Sequence, residues 1–138
     1  MRWTEDELTA YQQRQRGGRG GDADATRPPM TEAQLQRQVM AVAARLGYLS
    51  YHTYSSKRSA PGYPDVTLVH PAGGTLFLLE LKRDTEHPTL AQQRWLDALG
   101  WVTRVESGVV QPRSLADWVR RLQAHADFHR GRVAPWTP

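Results

Sequence analysis

The residue types that could do chemistry concentrate in two short stretches, Gly62-Tyr63-Pro64-Asp65 and Glu80-Leu81-Lys82. In a β-strand, side chains two apart share a face, so Glu80 and Lys82 stand together while Leu81 points the other way. Between the stretches, Pro71-Ala72-Gly73-Gly74 has the composition of a turn, which makes 66–70 and 75–82 the arms of a hairpin. With Ala72-Gly73 as the loop, or with a longer loop from Pro71 to Gly74, Asp65 falls directly across from Glu80. With Gly73-Gly74 as the loop it falls across from Lys82. Each register gathers the three side chains, with directly opposed Cβ atoms roughly 4.5–5.5 Å apart.

Two carboxylates at that spacing, together with the carbonyl of Leu81, make a hard, oxygen-rich site suited to Mg2+ or Mn2+. Such an ion polarises a phosphate and acidifies a bound water, and a lysine beside it can position or deprotonate that water. The bland alternative is an exposed hairpin end carrying an ordinary ion pair, since an acidic-x-Lys strand is common by itself. Two things favour the site: a Pro-Asp in register, and strands that read as apolar on both faces. Val66, Leu68, Phe77, Leu79 and Leu81 form one face, and Val69, Leu76 and Leu78 the other. Charges at the end of a sheet covered on both sides are costly unless a metal or water meets them.

Several elements must position this hairpin. Thr31 and Gln34 have capping-box spacing, and Leu35, Val39, Val42 and Leu46 fall on one helical stripe closed by Gly47. Residues 48–54 read as a strand, followed by a polar basic loop over 55–62. Thr89 caps a second helix running to Leu99 and closed by Gly100, 101–105 reads as a strand, and Ser114 caps a last helix to about Ala124. The order helix, strand, strand, strand, helix, strand, helix predicts an α/β fold, a mixed central sheet flanked by helices. Ahead of this domain (30–138), residues 1–29 read as an extension. Thr4 and Glu7 suggest a short helix from Glu5 to about Gln15. The glycine- and arginine-rich stretch over 16–21 is a flexible linker or a basic arm that touches nucleic acid. Met30, where the first strong pattern opens, is a candidate internal start.

Gly62-Tyr63-Pro64-Asp65 followed by Glu80-Leu81-Lys82 resembles the PD-(D/E)xK nuclease superfamily, and within it the VRR-NUC family, which is often read as Holliday-junction resolvase-like. The likeness runs from about Met30 to Val105, loosely to Leu122. It implies a restriction-endonuclease-like fold, a metal-dependent DNA endonuclease and, in some members, a homodimer. The family's Gly-x-Pro-Asp maps to Gly62, Pro64 and Asp65, and its Glu-x-Lys to Glu80 and Lys82. A metal-binding glutamate on the first helix maps to Glu32, and a glutamine on the helix after the Glu-x-Lys strand maps to Gln92. Glu32 shares the stripe of Leu35, Val39 and Val42, so it points inward, although a first-turn acid also suits the helix dipole. Gln92 aligns with Trp95, Leu96 and Leu99, yet Thr89 and Gln92 are also a capping box.

A net charge of +4 and a pI near 9.8 favour a polyanionic partner such as DNA. Lys57 and Arg58, in the loop leading into Asp65, are placed to grip phosphates, or are simply solvated. His52 on its strand is more often a structural histidine. His125 and His129 are four apart, but the segment lacks the glutamate of a hydrolytic zinc motif. There is no cysteine, so no disulfide or thiolate zinc site. No apolar run is long enough to span a membrane, and the start is too charged for a signal peptide, so a cytoplasmic protein is expected. Two competing functions remain: a nucleic-acid-binding module without activity, and a metal-dependent phosphoesterase for small molecules.

Overall fold

The computed structural model describes residues 4–7, 9–10, 28–54 and 56–131. The glycine- and arginine-rich stretch lies outside them. Residues 5–7 and 9–10 are helical, with the Thr4 and Glu7 capping bonds formed, and Glu7 reaches Arg45 at 2.7 Å.

Helix α1 (Glu32–Leu46) begins at the expected box: the Thr31 hydroxyl accepts from the Gln34 amide at 3.1 Å, and the Gln34 side chain accepts from Thr31 N–H at 2.8 Å. Its stripe of Leu35, Val39, Val42 and Leu46 is buried. Strands β1 (Leu49–His52), β2 (Val66–Val69) and β3 (Leu76–Leu81) form an antiparallel meander. Helix α2 (Leu90–Leu99) then carries the chain over to β4 (Val105–Val110), which lies parallel to β3 at the edge of the four-stranded sheet. Helix α3 (Leu115–Phe128) returns to pack beside α1. This is the mixed α/β architecture the element order predicts.

The two faces of the sheet are unequally covered. One carries Val66, Leu68, Phe77, Leu79, Leu81 and Val110 into the core formed with α1 and α3. On the other, α2 lies over β3 and β4, where the Ser107 hydroxyl donates to the Leu96 carbonyl at 2.9 Å. Beyond α2 this second face is open: Leu49 and Tyr51 are exposed, as is Val69. The apolar pattern of β2 therefore marks two covered faces only in part.

Three boundaries differ from expectation. Residues 101–104 are turn rather than strand: Trp101 and Val102 amides bond back to Ala98 and Leu99, Trp101 is exposed, and Gly100 keeps a right-handed helical conformation. The aromatic and β-branched composition misled because no strand is there to pair with it; β3 starts at Leu76, opposite Val105. Ser114 precedes α3, but its hydroxyl accepts from Gln111 N–H instead of capping the helix. The helix also runs past Ala124 to Phe128, because Ala126, His125 and His129 are packed inward at its end. No helix among the described residues is long and apolar enough to cross a membrane.

Candidate active site

The turn sets Val66 opposite Leu79 and Val69 opposite Leu76, which extends to Asp65 opposite Glu80. Leu76 and Lys82 direct their amides to β4, at 2.9 Å and 3.0 Å, so even-numbered residues of β3 bond towards β4 and odd-numbered ones towards β2. Asp65 and Glu80 are thus a non-hydrogen-bonded pair, the kind whose side chains approach more closely. Leu81 stands opposite Pro64, which has no N–H to offer its carbonyl. The Leu81 N–H is taken by Asp65 Oδ2 at 2.8 Å. The motif proline therefore leaves the Leu81 carbonyl without its ladder donor, and the motif aspartate is pinned beside it.

Glu80 is 1% exposed. Its Oε1 accepts from Gln92 Nε2 at 2.7 Å, while Oε2 is buried with no hydrogen-bond partner. Burial, then the Asp65 carboxylate, push the Glu80 carboxyl up to about 8, with Lys82 pulling in the opposite direction. A buried acid whose ionisation is opposed by burial and by a second carboxylate is typical of sites built for chemistry.

Gln92 caps its helix, and the same side chain also bonds Glu80. Its Oε1 accepts from Thr89 N–H at 2.8 Å, which leaves the amide nitrogen aimed at Glu80. The cap fixes which end of the amide faces the acid. Gly62 locks the approach of the loop to this helix: a Cβ there would lie 2.4 Å from the Ala91 carbonyl carbon, and its φ of +86° is one that favours glycine. The Pro61 carbonyl accepts from Trp95 Nε1 at 3.1 Å, and Tyr63 meets the Trp95 ring edge-on. Loop 61–64 is thereby docked on the helix that carries Gln92.

Glu32 stands at the same end of the sheet on α1, but it is largely exposed and not turned into the core as its stripe predicts. Burial raises its pKa, the neighbouring Glu86 and Asp65 raise it further, and Lys82 opposes them. Glu86, in the loop after β3, is held well below the usual carboxylate range, first by Arg83 and then by Glu32. Sequence reasoning did not find Glu86, because a loop residue has no periodicity to mark it. Among the described residues no three His, Asp or Glu side chains form a ready-made metal cage. A magnesium site needs none: it commonly uses one or two carboxylates, waters and substrate phosphate oxygens. The unpartnered Glu80 oxygen, Asp65 beside it and the Leu81 carbonyl are a donor set of that kind.

Lys57 and Arg58 sit exposed on a single 3-10 turn (Ser56–Arg58) and make no hydrogen bond or ion pair with these carboxylates. His52 is bonded to Gln36 of α1 at 3.2 Å. His125 and His129 lie at the other end of the sheet, over the β2–β3 turn, where a Cβ on Gly74 would strike both Nε2 atoms. There the Tyr48 hydroxyl donates to the Leu122 carbonyl at 2.8 Å, so His125 Nδ1 donates to the Tyr48 oxygen at 2.9 Å, and His125 Nε2 accepts from Thr75 N–H at 3.1 Å. His70 is likewise used at both nitrogens, donating to the Leu46 carbonyl and accepting from Ala72 N–H, each at 3.1 Å.

Two solved structures share this fold. One is described as a VRR_NUC domain, is 22% identical, aligns with a TM-score of 0.54, and covers 65% of this chain and 94% of its own. The other, a VRR_NUC domain protein, is 18% identical with a TM-score of 0.56, covering 80% of this chain and 98% of its own. No family model matches the sequence, and no curated protein matches it significantly. The resemblance carried by the two motifs thus extends to the fold: this chain folds as VRR_NUC domains do.

Proposed function

We propose that this chain is a metal-dependent nuclease that hydrolyses phosphodiester bonds in DNA, an endonuclease of the VRR-NUC kind, with branched DNA among its candidate substrates. The observation that carries the reading is Glu80: a nearly inaccessible carboxyl with one oxygen unpartnered, set against Asp65 at the mouth of the sheet. An unpaired polar atom in such a place costs about 1–3 kcal/mol, and a cation bound beside Asp65 would remove that cost.

Mg2+ or Mn2+ would be held by Asp65, Glu80 and the Leu81 carbonyl, with Glu32 contributing from α1, and would supply charge neutralisation at the phosphate and a more acidic water. Gln92 holds the Glu80 carboxyl in one orientation. Lys82, on the Glu80 face, orients the attacking water and offsets charge gathering on the phosphate oxygens. Lys57 and Arg58 bind neighbouring phosphates. A binding module without activity would gain nothing from clustering acids against a polyanion.

The test is cleavage of single-stranded, duplex and four-way-junction DNA with and without Mg2+. Cleavage of at least one of them is expected with the ion and none in excess EDTA. Undiminished cleavage in EDTA, or none of any substrate with Mg2+ and with Mn2+, overturns the proposal.

A further inference from the structure

β1 ends beside the acids with an aromatic pair that the nuclease chemistry leaves unused. Thr53 N–H donates to the Asp65 carbonyl at 3.0 Å, so Tyr54 leaves the sheet one residue past the position opposite Asp65, with its ring on the His52 side of the strand. Tyr54 is 85% exposed, and its ring leans on His52 with centroids 4.2 Å apart and planes tilted by 44°. His52 is fixed in turn by Gln36 at 3.2 Å, and Gln36 lies one helical turn beyond Glu32 on the same face of α1. Among the described residues the second ring face has no aromatic neighbour. The exposed Lys57 and Arg58 follow on the next turn of chain.

A ring already supported from below loses little freedom when something settles on it. The neighbouring cations and the acidic cluster, read as a nuclease centre, make that something part of a nucleic acid. Bases inside a duplex are stacked on one another and have no face to give, whereas an unpaired base does. Resting on the nuclease reading above, we infer that Tyr54, seated on His52, is a stacking platform for one unpaired nucleobase next to the scissile phosphate. The substrate class is therefore nucleic acid with a single-stranded segment at the cleavage point, and Lys57 and Arg58 hold its backbone.

The experiment measures binding by fluorescence anisotropy on the full chain in EDTA, using a labelled single-stranded DNA oligonucleotide and the blunt duplex of the same sequence at one salt concentration. Tyr54→Ala is expected to weaken single-strand binding about tenfold and to leave duplex binding within about twofold, while Tyr54→Phe matches the parent on both. Thermal melting of the variants checks that the fold is intact, as the exposure of Tyr54 implies. Equal losses on both DNAs, or undiminished single-strand binding by Tyr54→Ala, overturn the platform. If the parent still cleaves DNA with Mg2+ in that case, the platform alone falls. If the parent neither binds nor cleaves any DNA, the nuclease reading falls and takes the platform with it.

Discussion

At the turn end of the sheet, Tyr48 and His125 pack against Phe77 and His70 packs against Tyr48, and every polar atom of the two imidazole rings has a partner. At the other end of the same strands, Glu80 is buried more deeply and keeps an oxygen with none. Both ends place ionisable groups where water is scarce, and a fully bonded neutral network is how a fold does so without loss. The histidine end is finished by the chain itself. The carboxylate end keeps a donor oxygen unused, which is what the proposed metal site requires.

The largest expected effects are on activity. Lys82→Ala and Glu80→Gln should each lower cleavage about a hundredfold or more, because each removes a group acting on the reacting atoms. Lys82→Ala should leave DNA affinity nearly unchanged, since several phosphate contacts share that energy. Equal rates for Lys82→Ala and parent would end its catalytic assignment.

Glu80→Gln should also stabilise the metal-free protein, with a pH signature. The folded Glu80 pKa is raised from 4.5 to about 8, so its contribution to stability is fully present below pH 4.5 and is lost as pH climbs through about 8. The parent should therefore lose on the order of 2–4 kcal/mol relative to Glu80→Gln between pH 5 and 8.5, and Mg2+ should restore part of it. Parallel stability curves for the two proteins would show that Glu80 is not a strained acid.

The histidine end should answer the opposite way. Burial lowers the His125 pKa, and the charges of His129 and His70 lower it further. Its stabilising contribution is present above the usual histidine value and is lost as pH falls through the depressed one. His125→Phe should cost about 2 kcal/mol at neutral pH by stranding the Tyr48 oxygen and Thr75 N–H, with cleavage unchanged. A large loss of cleavage in a variant that still melts cooperatively would mean the two ends are coupled and the contrast between them is wrong.

Much of this was legible in the sequence because local rules and packing agree. Thr31, Gln34 and Gly47 bound α1, and the composition of the Pro71–Gly74 turn left two registers, of which the structure takes the one that puts Asp65 opposite Glu80. The strand was misread at 101–104 because propensity does not tell whether a partner strand is present. The end of α3 was missed because the anchors of its last turn, His125 and His129, gain their partners from Tyr48, just ahead of β1, and from the β2–β3 turn, far away in sequence. Glu86 and the support of Tyr54 by His52 are likewise products of tertiary placement. Gln92 was readable as either cap or site residue, and only the geometry shows that one amide both caps the helix and bonds Glu80.

The smallest expected effect is at Glu32, and it tests how far the site extends. Two opposing influences act on this side chain. The N-terminus of α1 favours its negative charge by roughly 0.3–1 kcal/mol. Partial burial and the Glu86 carboxylate disfavour that charge, and the raised pKa shows that they prevail over Lys82. Glu32→Gln gives up the first influence and is relieved of the second, so the melting temperature should barely move. If Glu32 helps to hold the ion, the variant should need more Mg2+ for half-maximal cleavage and turn over about tenfold more slowly at a fixed concentration, as losses around a metal site commonly do. If instead it serves only the helix end, the outcome inverts: the Mg2+ requirement stays at the parent value and the melting temperature falls. The metal titration and the melt, run on one preparation, separate a fourth ligand group from an ordinary first-turn acid.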